Sequence, residues 1–181
     1  MDGEEWDARL DDVLVGGREQ REIVIVDYDP GWPRRFEVER DRVRGALGFA
    51  ALRVEHVGST AVPGLAAKPI IDLLVAVVDP EDDALFVPAL ESAGYELRVR
   101  EPRHRMFRTP SRDVHVHLWA DDDEQLTLHL AFRDRLRESP EDRALYERLK
   151  RDLAGQQWGD MYEYSHAKGR FIEAVLAKVR E

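Results

Sequence analysis

The sequence contains no cysteine, which removes disulfide frameworks, thiolate metal sites and catalytic thiols from the chemistry available to the fold. That absence fits an intracellular location. No apolar run approaches the length of a membrane span, and the start Met1-Asp2-Gly3-Glu4-Glu5-Trp6 lacks the basic residues and apolar stretch of a secretory signal. A cytoplasmic protein with no membrane partner is the expectation. Long polar tracts and internal repeats are also missing, and 181 residues with 43% hydrophobic and 35% charged composition predict one folded domain with a sizeable core. Positive charge is in deficit. A formal net charge of -10 repels the phosphate backbone over most of the surface, so long nucleic acid is not an expected partner.

One stretch runs against that balance. Arg98, Arg100, Arg103, Arg105, Arg108 and Arg112 lie close together with Glu101 as the single carboxylate between them. Such an island can receive a polyphosphate, although the alternation of Arg98 and Arg100 with Leu97 and Val99 also suits the solvated side of a hairpin. Arg105 and Arg108 are the stronger phosphate candidates.

The pattern predicts an α/β (α+β) fold. A short helix or arm is expected over 4–15, closed by Gly16-Gly17, and the run Ile23-Val24-Ile25-Val26 reads as a strand. After a turn at Asp29-Pro30-Gly31, Trp32-Pro33 opens a helix to about Gly48, because proline suits the first helical turn and Phe36, Val43 and Leu47 recur at helical spacing. Strands are expected over 51–57, 70–78, 95–100, 106–109 and 114–119, with a helix over 84–93 stopped by Gly94. From about residue 123 the pattern is helical: Ser139-Pro140-Glu141-Asp142 reads as a cap, Leu145, Leu149 and Leu153 as a core face, and 161–179 as one last helix. Residues 1–20 would then be an arm, about 21–122 the core and about 123–181 a helical C-terminal segment.

The most informative segment runs from Glu55 to Asp72, EHVGSTAVPGLAAKPIID: a strand, a glycine-serine turn, a loop with a lysine, and an apolar strand carrying one carboxylate. Gly58 lets an anion approach the backbone, Ser59 and Thr60 offer hydroxyl and amide donors, and Lys68 adds positive charge. The plainer reading is that such turns are common connectors and that Pro63-Gly64 folds the loop. Asp72 weighs against it, since a carboxylate inside an apolar run is costly to bury unless it is paired or faces a metal or a cleft. Pairing with Lys68 or a nearby arginine is the structural alternative.

This segment, together with Ile25 to Pro33, Phe132 to Arg137, Tyr146 to Leu153 and Tyr164 to Ile172, resembles the GrpB family. The resemblance implies a nucleotidyltransferase-like mixed sheet packed with helices, of the polymerase-beta type; related domains occur fused to a dephospho-coenzyme A kinase. In that superfamily a Gly-Ser turn binds a triphosphate and a following strand supplies two carboxylates one residue apart for metal ions. Here Gly58-Ser59 match the turn, but Ile70 and Leu74 flank Asp72 where the second carboxylate would stand.

A replacement ligand set is at hand. Asp113, His115 and His117 share one face of a strand by period-two spacing, and two imidazoles with Asp72 form a candidate site for a divalent metal, magnesium, manganese or zinc, with imidazole favouring the softer ions. A polar face covered by a helix is the alternative for the histidines. His56 is a candidate general base beside Glu55, or a histidine satisfying a local backbone group. Arg133, Lys150 and Lys168 match positions of the family pattern and are candidate ligand contacts, against the ordinary reading of solvated helix charges. The sequence therefore supports two functions: a metal-dependent enzyme moving a nucleotidyl group from a nucleoside triphosphate to a small acceptor, or a non-catalytic module that binds a nucleotide or coenzyme A precursor.

Overall fold

The computed structural model describes residues 11–20 and 22–179. Most of the expected N-terminal helix lies outside the described residues; 11–13 are helical, and Gly16 and Gly17, with φ of 85° and 74°, end that segment. Five strands form one mixed sheet: β1 (Arg53–Val57), β2 (Ile71–Val77), β3 (Glu96–Glu101), β4 (His104–Arg108) and β5 (Val114–Ala120), in the order β1-β2-β5-β4-β3. The central pair β2 and β5 is parallel and all other neighbours are antiparallel.

Helix α1 (Trp32–Leu47) begins after a turn in which the Asp29 carboxylate accepts from the Gly31 amide at 2.7 Å, and Pro33 occupies its first turn. It buries Trp32, Val43 and Leu47 against one sheet face, where Ile71, Leu73, Val75, Val77, Phe107, Val114, Val116 and Leu118 form the main core with Phe86 and Leu90 of α2 (Asp83–Ser92). Because strand side chains alternate, the intervening residues Asp72, Leu74 and Ala76 of β2 and His115, His117 and Trp119 of β5 point to the other face. That face packs against α3 (Glu124–Glu138) through Leu126 and Leu130. Helices α4 (Pro140–Ala154), α5 (Met161–Ala167) and α6 (Gly169–Val179) complete the chain. Among the described residues no helix is long and apolar enough to cross a membrane.

Four expectations need correction. Ile23 to Val26 is not a strand: only Val26 pairs, exchanging both backbone hydrogen bonds with Ala67 at 2.9 Å. The next antiparallel bonded pair would be Val24 with Pro69, and proline has no N–H to give. In β3 the register slips between Leu97 and Val99, so Arg98 is not solvated but 2% exposed, donating to the carbonyls of Val15 and Gly17. In α4 the buried positions are Asp142, Tyr146, Lys150 and Leu153, while Leu145 is exposed. Ser139 caps as expected, accepting from the Asp142 amide at 3.2 Å, and the Asp142 carboxylate holds Arg135 and Lys178, both at 2.7 Å. Finally, the last helix is two: it breaks at Lys168, ahead of Gly169.

Candidate functional site

Register places Asp72 opposite Val57 on one side and His115 on the other, with Leu74 opposite His117. The Asp72 carboxylate lies 3.2 Å from His115 Nδ1 and 3.9 Å from His117 Nε2. One ligand atom from each of the three residues falls within 4.8 Å of the others. Donor atoms bound at about 2.1 Å to one tetrahedral ion stand roughly 3.4 Å apart, so this set needs only small side-chain adjustment to close on a metal. Burial would raise the Asp72 carboxyl, but the adjacent His115 and His117 imidazoles outweigh it and hold the group well below the usual carboxylate range. Asp113, expected on the same face, stands one residue before β5; its carboxylate accepts from Thr109 Oγ1 at 2.8 Å and pairs with Arg35 at 2.9 Å, away from the cluster.

The glycine-serine turn sits against this carboxylate. Gly58 has φ of 71° and ψ of -174°, and a Cβ there would lie 2.4 Å from Asp72 Oδ2. Such backbone is essentially confined to glycine, so the turn and the carboxylate can touch only because position 58 has no side chain. Pro63-Gly64 folds the loop as the plainer reading had it: the Leu65 amide donates to the Val62 carbonyl at 3.2 Å, with Gly64 at φ of 78°. Val62 and Leu65 then anchor the loop among Leu136, Tyr146, Phe132 and Phe171.

The C-terminal helices bring cations to the same place. Lys150 is 2% exposed and donates to Ser59 Oγ at 3.0 Å and to the Ala66 carbonyl. Lys168, placed by the break between α5 and α6, and Lys68 lie 4.5 Å and 4.9 Å from the centre of the Tyr164 ring. Burial, then the neighbouring lysine charges, lower both Lys150 and Lys168 to about 7. The Tyr164 hydroxyl is buried without a hydrogen-bond partner among the described residues. Lys68, Lys168 and Tyr164, with Ser59, Asp72, His115, His117, His129 and Tyr146, line a cleft of about 370 Å³, and Lys150 stands behind Ser59.

Other candidates are placed elsewhere. His56 faces the α1 side, stacked on Phe36 at 4.7 Å, and its Nε2 is 3.0 Å from Thr60 Oγ1; burial lowers it to about 4. It braces the turn from behind and does not reach the cleft. Thr60 lines the cleft, but its hydroxyl donates to the Ile70 carbonyl at 3.0 Å. Arg133 is buried between the Glu55 carboxylate (2.9 Å) and the His56 carbonyl (3.0 Å), a structural tie rather than a ligand contact. Arg105 points to the α2 side and holds Asp83 at 2.8 Å, so it is on the wrong face for a phosphate at Ser59. Arg108 is on the correct face, yet its guanidinium is held at both ends by Glu19, at 2.7 and 2.9 Å, in a smaller recess beside the metal candidates. The remaining arginines of the positive island meet Asp83, Asp122, Asp123 and Glu19. The island is locally neutralised.

Sequence reasoning missed His104, His129, Tyr146 and Tyr164. His129 carried no spacing signal, since only the packing of α3 on the sheet brings it within 6.5 Å of the His117 ring. His104 had one: the two-residue turn Pro102-Arg103 places it opposite Glu101, and β4 then runs beside β5.

The GrpB protein family pattern matches residues 22–178. The chain belongs to the GrpB family. It is 50% identical over 165 residues to a UPF0157 protein of Streptomyces coelicolor, covering 91% of this chain and 88% of that one. The crystal structure of conserved protein GrpB from Enterococcus faecalis superimposes with a TM-score of 0.77 at 37% identity, covering 86% of this chain and 96% of the other. The chain is also 30% identical over 175 residues to a dephospho-CoA kinase of Mycolicibacterium paratuberculosis, covering 81% of this chain and 43% of that protein.

Proposed function

We propose that this GrpB-family protein is a metal-dependent nucleotidyltransferase, moving a nucleotidyl group from a nucleoside triphosphate to a small acceptor. The observation that carries the reading is the contact of the Gly58-Ser59 turn with Asp72, which puts a phosphate cradle and a three-ligand metal set in one cleft. A divalent ion there would be held by Asp72, His115 and His117 and would neutralise charge on the transferring phosphate. Ser59, Lys68 and Lys168 are suited to the leaving phosphates, and Lys150 positions the Ser59 hydroxyl. The convergence of Lys68, Lys168 and Lys150 on one cleft and the buried, orphaned Tyr164 hydroxyl favour an anionic ligand. Imidazole ligands suit manganese or zinc better than magnesium.

A second reading is a module that binds a nucleotide or coenzyme A precursor without transfer. It is favoured by Leu74, apolar and buried where a second carboxylate would stand, and by the relative named as a dephospho-CoA kinase. Thermal unfolding with nucleoside triphosphates and manganese, zinc or magnesium separates the readings when paired with an assay of pyrophosphate release. A ligand at a hundredfold excess over its Kd adds about 2.7 kcal/mol, roughly 5–10 °C for a chain of this size. A metal-dependent shift that disappears in Asp72→Asn, with pyrophosphate released, is the expected outcome. A shift without release supports the binding module, and no shift with any triphosphate rejects the transferase and leaves only a module for another ligand, such as a coenzyme A precursor.

A further inference from the structure

Behind the candidate metal cluster lies a line of hydrogen bonds that the proposed chemistry has not used. The hairpin between β3 and β4 turns through Pro102-Arg103, with Arg103 at φ of 61°, and so sets Glu101 directly opposite His104. His104 Nδ1 is 2.8 Å from Glu101 Oε2, and His104 Nε2 is 3.1 Å from His117 Nδ1. The His104 ring is 6% exposed, stacks on Trp119 at a centroid distance of 4.0 Å, and lies within 6° of parallel to His117. His117 Nε2, at the far end, is the atom that faces Asp72.

Counting donors fixes the direction of this line. An ionised carboxylate only accepts, so His104 Nδ1 carries a proton and donates it to Glu101. A neutral imidazole has one N–H, which leaves His104 Nε2 with a lone pair as acceptor. His117 must then donate from Nδ1, and its own lone pair is left on Nε2, on the side of Asp72 and His115. Reversing the order would require an imidazolium sealed under Trp119, where burial penalises charge.

We infer that Glu101 and His104 are positioning residues for His117, holding it in the Nδ1–H tautomer so that Nε2 is presented as a ligand to a divalent metal shared with Asp72 and His115. This rests on the metal site proposed above. Partners of this kind fix both tautomer and ring orientation, and losing them commonly weakens metal binding about 10–100-fold. The ions favoured are those that accept imidazole nitrogen, such as zinc or manganese, over magnesium.

Two readouts on the full chain test the inference. Long-range proton–nitrogen NMR spectra of the metal-free protein should show His117 as Nδ1–H, and His104→Phe, which keeps a ring on Trp119 but removes the acceptor, should shift it toward a mixture of tautomers. Zinc and manganese titrations against a competing indicator should show about 10–100-fold weaker binding in His104→Phe. Glu101→Ala, nearer the surface, should lose several-fold, and Glu101→Gln, whose amide oxygen still accepts from His104, should recover most of it. His117 found as Nε2–H, or metal affinity in both His104→Phe and Glu101→Ala matching the unmodified protein, overturns the inference. If the unmodified protein binds neither ion, the metal site itself is rejected, whereas metal binding that ignores Glu101 and His104 rejects only the positioning role.

Discussion

Replacing Gly58 by alanine tests the closest contact in the site, and Gly64→Ala supplies its control. Both glycines have positive φ and both stand in the same loop, but a Cβ at Gly64 meets nothing within 4 Å whereas one at Gly58 meets Asp72 Oδ2 at 2.4 Å. At Gly64 the expected cost is the left-handed strain of about 1–2 kcal/mol, less the roughly 0.4–1 kcal/mol that alanine returns by restricting the unfolded chain. A net loss of about 0–1.6 kcal/mol follows. At Gly58 the conformation is a glycine-only one, costing about 1–3 kcal/mol. In addition the carboxylate must retreat by about 1 Å, away from His115 and His117, and disturbing a buried hydrogen-bonded group costs a further ~1–3 kcal/mol. With the same return from the unfolded chain, Gly58→Ala should lose about 1–5.6 kcal/mol, which at roughly 2–4 °C per kcal/mol is on central values a larger fall in Tm than for Gly64→Ala. Urea denaturation and thermal unfolding give the stabilities, and zinc or manganese titration gives the second readout, in which only Gly58→Ala should lose affinity. If the two variants are equally stable and bind metal equally well, the reasoning about the Gly58–Asp72 contact is wrong.

Two further expectations concern protons. Lys150 and Lys168 are lowered to about 7 by burial and by neighbouring lysine charges, so at pH 8 both are largely neutral; a phosphate anion favours their charged forms, and binding pyrophosphate at that pH should take up protons. Calorimetry in buffers of different ionisation enthalpy measures the uptake, affinity should fall as pH rises above 7, and uptake near zero would contradict an anion seated by these lysines. His56, lowered to about 4 from 6.5, binds its proton more readily in the unfolded state; its contribution is fully present above pH 6.5 and is lost as pH falls toward 4. His56→Gln, which can still donate to Thr60, should flatten the pH dependence of stability in that window by on the order of 1–3 kcal/mol while leaving metal affinity unchanged; a loss of metal binding would return His56 to the site.

What could be read from the sequence depended on whether the signal was periodic. The strands β1 to β5 and the helix opened by Trp32-Pro33 were legible because apolar residues recur at two- and near-four-residue spacing, their assembly into a mixed sheet is what the family resemblance implied, and Asp72 was legible because it interrupts an apolar run. The convergence of Asp72 with His115 and His117 followed from the alternation of side chains on adjacent strands, once β2 and β5 are neighbours. The misreadings share a cause of a different kind. Arg98 reads as a surface cation, and Arg133 and Lys150 as ligand contacts or solvated helix charges, yet each is buried because it satisfies carbonyls, carboxylates or hydroxyls that a loop or strand end leaves unpaired: Val15 and Gly17 for Arg98, His56 and Glu55 for Arg133, Ala66 and Ser59 for Lys150. Buried polar backbone must find a partner, and long cationic side chains supply it across dozens of residues, at separations that carry no period. The same residues hold the Gly58-Ser59 turn in place: Arg133 and His56 from behind, Lys150 from the side, and Gly58 by leaving room in front for Asp72. The turn is therefore held by partners drawn from β1, α3 and α4 together, and a change that removes one of these contacts, unlike His56→Gln, which keeps its hydrogen bond to Thr60, should be felt at Ser59 and Asp72.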